Sequence, residues 1–193
     1  MRRSSVTSQH TAIDVKMKVV AFSGDSGAGK TTLVERLIPA LKLRGQRVSV
    51  VKHAHHKFDI DHPGKDTHRH REAGAFEVVV ASNQRLALMR EFEQSASLTV
   101  HQLIAELYQG VDWVLVEGFK QSDLLKIEVW RPETGKLARY IDDDFVIAIA
   151  TNAPAQLPHK TLRPVFELDQ VDVLADWLIE QAHRFEYSFE MQI

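Results

Sequence analysis

The sequence predicts an α/β fold of the P-loop NTPase type, a mostly parallel sheet flanked by helices, and three observations predict it. An apolar run, MKVVAFS from Met17 to Ser23, stops at a glycine. The pattern Gly24-x-x-x-x-Gly29-Lys30-Thr31 follows and opens a stretch in which Leu33, Leu37 and Leu41 recur four apart. QRVSVVK, Gln46 to Lys52, then supplies a second β-rich run. Strand, glycine-rich loop, helix and parallel strand form the unit with which such nucleotide folds begin.

Each element has its own reason. A short β-rich run ending at glycine reads as a buried strand. From Lys30 to Arg44, Val34 and Ile38 flank the leucines, which makes one apolar helical stripe. Pro39 interrupts it and is expected to kink or loosen one turn, whereas Gly45 is the better stop. A polar loop from His53 to Gly64 precedes a short helix expected from about Lys65 to Ala73. Phe76 to Phe92 holds two strand-like runs around Ser82-Asn83-Gln84, which predicts a β-hairpin. Ser97 can cap a helix reaching Tyr108. VDWVLVEGF, LLKIEVWR and FVIAIATN read as three further strands, and PVFELDQVDVLADWLIEQAHRF as a last strand and a helix capped by Asp169. Residues 1–16 contain two arginines but no apolar core of a signal peptide, so they read as a flexible tail before a single domain, 17–193.

Composition narrows the function classes. The chain has 193 residues, 44% apolar and 26% charged, enough for a sizeable core without staples. It has no cysteine, which removes disulfides, thiolate nucleophiles and Cys-ligated metals, and fits a reducing, cytoplasmic setting. A net charge of -2 gives no general attraction to nucleic acid or anionic lipid, and no apolar run has the length of a membrane span.

The glycine-rich loop carries the chemistry. Glycines let successive backbone N–H groups curl around phosphate oxygens where a Cβ would crowd them. The start of the following helix adds positive potential at the same place. Lys30 is placed to reach the β- and γ-phosphates and Thr31 to ligate Mg²⁺, the roles such residues take in this motif. An acid is also needed near the metal. Glu117 ends the run WVLVE before Gly118, so it should emerge at the carboxyl edge of the sheet beside the loop. Asp59 and Asp61 in KFDID are weaker candidates, since acids in loops are commonly only hydrated.

Base choice and rate are less legible. Guanine-reading proteins often carry Asn-Lys-x-Asp after a late strand, but here Thr151-Asn152-Ala153-Pro154 has the asparagine without an aspartate three residues later. No water-positioning glutamine or arginine finger stands out, and P-loop proteins lacking both hydrolyse slowly, on the order of 10⁻⁴ to 10⁻² s⁻¹. Six of the ten histidines stand at 53, 55, 56, 62, 68 and 70. With Asp59, Asp61 and Asp66 they have the donor types of a transition-metal site, although hydrated surface histidines would give the same string. Lys52, Lys65, Arg69 and Arg71 offer another reading, a lid that meets anionic oxygens.

The combination GDSGAGKTTL, VVKHAHHKFDIDHPGKDTHRHREAGA, VLVEGFK and KIEVWR resembles the molybdopterin-guanine dinucleotide biosynthesis protein B (MobB) family of bacterial molybdenum-cofactor assembly. The likeness runs from Met17 to about Ala155. It implies GTP and Mg²⁺ as ligands, weak hydrolysis, a homodimer and an accessory role beside the guanylyltransferase that joins GMP to molybdopterin, with a molybdopterin-type ligand at hand. By position, Gly24, Asp25, Ser26, Gly27, Ala28, Gly29, Lys30, Thr31 and Thr32 would hold phosphates. Glu117 would be the second acid, and Asp61, Lys65, Asp66 and Arg71 would fall in the family's own loop. Asn152 matches a base-contacting residue only loosely. Two other readings stand beside this one: a P-loop small-molecule kinase or ATP-dependent ligase-like enzyme using the 53–71 loop for an acceptor, and a His-rich metal-handling GTPase. The apolar hairpin is the expected dimer contact, because edge strands invite pairing.

Overall fold

A computed structural model of the chain describes residues 17–54 and 58–188. The expected N-terminal tail and His55 and His56 therefore lie outside the described residues. The chain packs as two compact units, one formed up to His53 and again from Val100, the other Ala54–Thr99.

In the first unit, β1 (Met17–Ser23) leads through the loop into α1 (Lys30–Leu43) and β2 (Val48–Lys52). The second unit holds α2 (Asp66–Glu72) and the antiparallel pair β3 (Glu77–Ala81) and β4 (Leu86–Arg90), in register Val79 opposite Leu88. This is the hairpin expected from the sequence. The first unit resumes with α3 (Val100–Ala105), β5 (Trp113–Glu117), β6 (Lys126–Trp130), β7 (Val146–Thr151) and β8 (Val165–Glu167). It closes with α4 (Val171–Glu180) and β9 (Glu186–Tyr187).

The main sheet runs β2-β5-β1-β6-β7-β8, all parallel, with β9 antiparallel against the start of β1. Burial on both faces explains the largely apolar runs of β1, β5 and β7, whereas β6 carries two buried charged side chains, Lys126 and Glu128. Val20 and Phe22 point to one face, where Leu33, Leu37 and Leu41 of α1 meet Leu174 and Leu178 of α4. Val19 and Ala21 point to the other, against Val100 and Ile104 of α3. Each fully buried leucine of α1 stabilises the fold by about 1.5–3 kcal/mol. Pro39 lies inside α1, which continues past it to Leu43. The stop is at Gly45, where a φ of 77° lets the N–H groups of Gly45 and Gln46 reach the carbonyls of Lys42 and Leu41.

Two expected helix boundaries are corrected. α3 begins at Val100 and ends at Ala105 instead of running from Ser97 to Tyr108, because only Val100 and Ile104 of it are buried and the chain then tightens into i−3 bonds at Glu106 and Leu107. α4 is preceded by Gln170 without any side-chain cap, so Asp169 does not cap it. Among the described residues no helix is long and apolar enough to cross a membrane.

Candidate functional site

Strand register assembles the site. Phe22 of β1 and Lys52 of β2 each align with Glu117, so the carboxyl ends of β1, β5 and β2 come together where the glycine-rich loop begins. The loop makes its turns at Gly24, Gly27 and Gly29, with φ of 137°, 81° and 97°. A Cβ on Gly24 would overlap the carbonyl oxygen of Val129, whereas one on Gly27 would meet nothing within 4 Å. Gly24 is thus required by a close approach to β6, and Gly27 by conformation alone. Ala28 is buried and anchors the loop, its carbonyl accepting from Arg131 Nε at 3.0 Å, while Ser26, Gly27, Thr31 and Thr32 remain exposed for a ligand.

Lys30 bends back over the loop and donates to the carbonyls of Gly24 and Asp25 at 2.9 and 2.8 Å. Burial pushes its pKa down, with the charges of Glu117 and Asp25 opposing and Arg139 assisting. Thr31 Oγ1 donates to Glu117 Oε1 at 2.6 Å, and Lys52 Nζ lies 3.3 Å from Glu117 Oε2 and 3.5 Å from Thr31 Oγ1. A hydroxyl and a buried carboxylate are hard oxygen donors that suit Mg²⁺, and an ammonium already stands beside both. The donor set fits the ion. Glu117 thus emerges at the carboxyl edge of the sheet beside the loop, in hydrogen-bond contact with Thr31.

Arg139 is a residue that sequence reasoning did not single out. Its Nη2 lies 3.3 Å from Asp25 Oδ1, and the backbone N–H groups of Arg139 and Tyr140 donate to the two oxygens of buried Glu128 at 2.6 and 2.7 Å. Burial raises the Glu128 pKa, against the pull of those two N–H bonds. No local spacing could have revealed this, because Arg139 is 114 residues from Asp25.

Asn152 donates to Glu133 Oε1 at 3.0 Å and borders a cavity of about 250 Å³ that also touches Gly29 and Thr32. The remaining expected residues belong to the second unit. Lys65 precedes α2 and Asp66 begins it, 3.8 Å from Arg69. Arg71 gathers Asp59 at 3.2 Å, Asp61 at 3.1 Å and Glu91 at 2.6 Å, which joins the acidic loop to the hairpin. Asp61 also accepts from Thr67 and from the His62 N–H; burial pushes its pKa up, but these bonds and Arg71 hold it below the usual range. Among the described residues no group of three or more His, Cys, Asp or Glu is arranged to hold a metal ion.

A parallel sheet with a glycine-rich loop after β1, a lysine and threonine opening α1, and an acid at the end of β5 define a P-loop nucleotide-binding fold. Comparison with known proteins narrows this. The model of the family described as molybdopterin guanine dinucleotide synthesis protein B matches residues 19–152, and the chain belongs to that family. Its relatives include the molybdopterin-guanine dinucleotide biosynthesis adapter protein of Escherichia coli (strain K12), 40% identical over 84% of this chain and 91% of the relative. The protein of the same description from Haemophilus influenzae is 38% identical over 88% of this chain and 92% of the relative. Among solved structures, a MobB protein homolog from Bacillus stearothermophilus superposes with a TM-score of 0.66 at 27% identity, covering 87% of this chain and 99% of that one.

Proposed function

We propose that this protein binds GTP with Mg²⁺ at the glycine-rich loop and serves as the adapter in molybdopterin guanine dinucleotide formation, assisting the guanylyltransferase and hydrolysing GTP only weakly. The observation that carries the nucleotide half is the Thr31–Glu117 hydrogen bond with Lys30 and Lys52 beside it. In this reading residues 24–32 hold the phosphates, Thr31 and Glu117 hold Mg²⁺, and Mg²⁺ supplies charge neutralisation at the phosphates. Lys30 follows the β- and γ-phosphates once it exchanges the carbonyls of Gly24 and Asp25 for phosphate oxygens. The relatives' description as adapters supports the second half of the reading. Asp61, Lys65, Asp66 and Arg71 are assigned to ligand or partner contacts of the second unit, Asp61 also as a metal contact. The hairpin, with Phe76, Val79, Val80, Leu86 and Leu88 exposed, is assigned to homodimer formation.

The test is thermal unfolding with Mg²⁺ and GTP, ATP or neither, with Lys30→Ala as control. A ligand at 100 times its dissociation constant adds about 2.7 kcal/mol, a rise of roughly 5 to 11 °C for a chain of this size. A GTP-selective rise that Lys30→Ala abolishes is the expected result. An ATP-selective rise would favour the kinase-like reading, and no rise with either would reject the nucleotide site. Co-purification with the guanylyltransferase, and its rate with and without this protein, tests the adapter half.

A further inference from the structure

The cavity beside the loop is built by four separate stretches of chain, Arg131 after β6 being one of them. Gly29 and Thr32 line one side, and Asn152 and the turn Leu168–Asp169 line another. The turn is tied to the helix that carries Thr32: Arg36, four residues further along α1, donates through Nη1 to the Leu168 carbonyl at 2.9 Å and through Nη2 to the Asp169 carbonyl at 2.7 Å. It is also tied to Asn152, because the Leu168 N–H donates to the Thr151 carbonyl at 3.1 Å and β8 aligns Glu167 with Thr151. Asn152 and Asp169 therefore stand beyond the carboxyl ends of neighbouring parallel strands, where α/β sheets place their ligands. At about 250 Å³ the cavity is below the roughly 300 Å³ at which whole-ligand pockets begin, a size that suits one ring system of a larger ligand.

The Asp169 carboxylate is exposed, does not cap α4, and has no partner among the described residues. Within the reading that the loop holds a nucleoside triphosphate, a base leaving the phosphates along Thr32 enters this cavity. We propose that Asp169 selects guanine, supplying from the turn after β8 the acid that is missing three residues after Asn152. A carboxylate accepts two parallel bonds from the N1–H and the 2-amino group of guanine. Adenine offers a lone pair at N1 and a C–H at C2, so the same carboxylate meets no donor and a like partial charge. A site built around such hydrogen bonds rejects analogues lacking the donors, because its polar group is left unpaired. Glu167 also borders the cavity, but it lies within β8 and not on the turn beyond it.

The experiment is calorimetric titration of the full chain with GTP, ATP and XTP in Mg²⁺, for wild type, Asp169→Asn, Glu167→Gln and Lys30→Ala. The asparagine amide donates where the carboxylate accepted, which matches the 2-oxo group of xanthine. Wild type should prefer GTP over ATP. Asp169→Asn should lose at least tenfold in GTP affinity and gain at least tenfold for XTP, whereas Glu167→Gln should gain no XTP affinity. The XTP gain cannot come from misfolding. Retained GTP preference in Asp169→Asn, loss of GTP without gain of XTP, or the exchange appearing in Glu167→Gln overturns the assignment. Equal wild-type affinity for GTP and ATP, abolished in Lys30→Ala, overturns it while leaving the loop a nucleotide site. No binding of any nucleotide by wild type rejects both.

Discussion

Gly24 and Gly27 belong to one motif but the structure demands them for different reasons, and replacing each by alanine separates those reasons. At Gly24, φ is 137°, and a new Cβ would overlap the Val129 carbonyl oxygen and stand 3.2 Å from its carbon, both of them backbone atoms of a central strand. The backbone conformation alone costs about 1–3 kcal/mol for a residue with a Cβ. Relieving overlap inside a packed core adds about another 1–3 kcal/mol. Gly24→Ala should therefore lose about 4 kcal/mol without any ligand, a fall of roughly 8 to 16 °C in Tm at 2–4 °C per kcal/mol. Gly27→Ala, at φ 81° with nothing within 4 Å, should lose only the left-handed strain, about 1–2 kcal/mol. Thermal unfolding of the two variants in nucleotide-free buffer makes the comparison. If Gly24→Ala were as stable as Gly27→Ala, the close approach of the loop to β6 would not set the need for glycine there.

Thr31→Val should keep the ligand-free stability within about 1 kcal/mol, since one exposed hydroxyl is lost, yet remove the dependence of nucleotide-induced stabilisation on Mg²⁺; a Mg²⁺ titration monitored by unfolding reads this. Lys126 is buried against the Ser122 carbonyl and Asp143 Oδ2, so Lys126→Ala should cost about 3 kcal/mol in a urea titration, the low end for a broken buried pair because Asp143 is partly exposed. Glu128 should impose a slope on the pH profile. Its folded pKa is raised, mainly by burial, so its stabilising contribution is fully present below the ordinary glutamate value of about 4.3 and is lost as pH rises through the folded value. Glu128→Gln should flatten that slope and, at neutral pH, cost about 1–3 kcal/mol, because an amide nitrogen cannot accept from the N–H of Arg139 or Tyr140. Val79→Glu with Leu88→Glu, opposite each other on the hairpin, should convert a dimer to a monomer in light scattering, and an unchanged mass would refute the hairpin as the contact.

The sequence by itself determined the local grammar: a strand, a phosphate loop, a helix with one apolar stripe, a hairpin, and an acid at the end of an apolar run. These are legible because each depends on neighbours within a few residues, through backbone freedom at glycine and the periodicities of helix and strand. It also carried the family, since VKHAHHKFDIDHPGKD and the loop are contiguous strings. The tertiary structure alone decided which distant residues share a site. Parallel register set Lys52 and Glu117 side by side, and a buried carboxylate on β6 positioned the backbone at Arg139, whose guanidinium meets Asp25 of the loop. Asp169 shows the difference most directly. In the sequence it looks like a helix cap, because an acid before a helical run usually is one. In the fold Arg36 holds its turn against α1 and the residue lines the cavity next to Asn152, a placement set by long-range pairing of β7 with β8 and invisible to any short window of sequence.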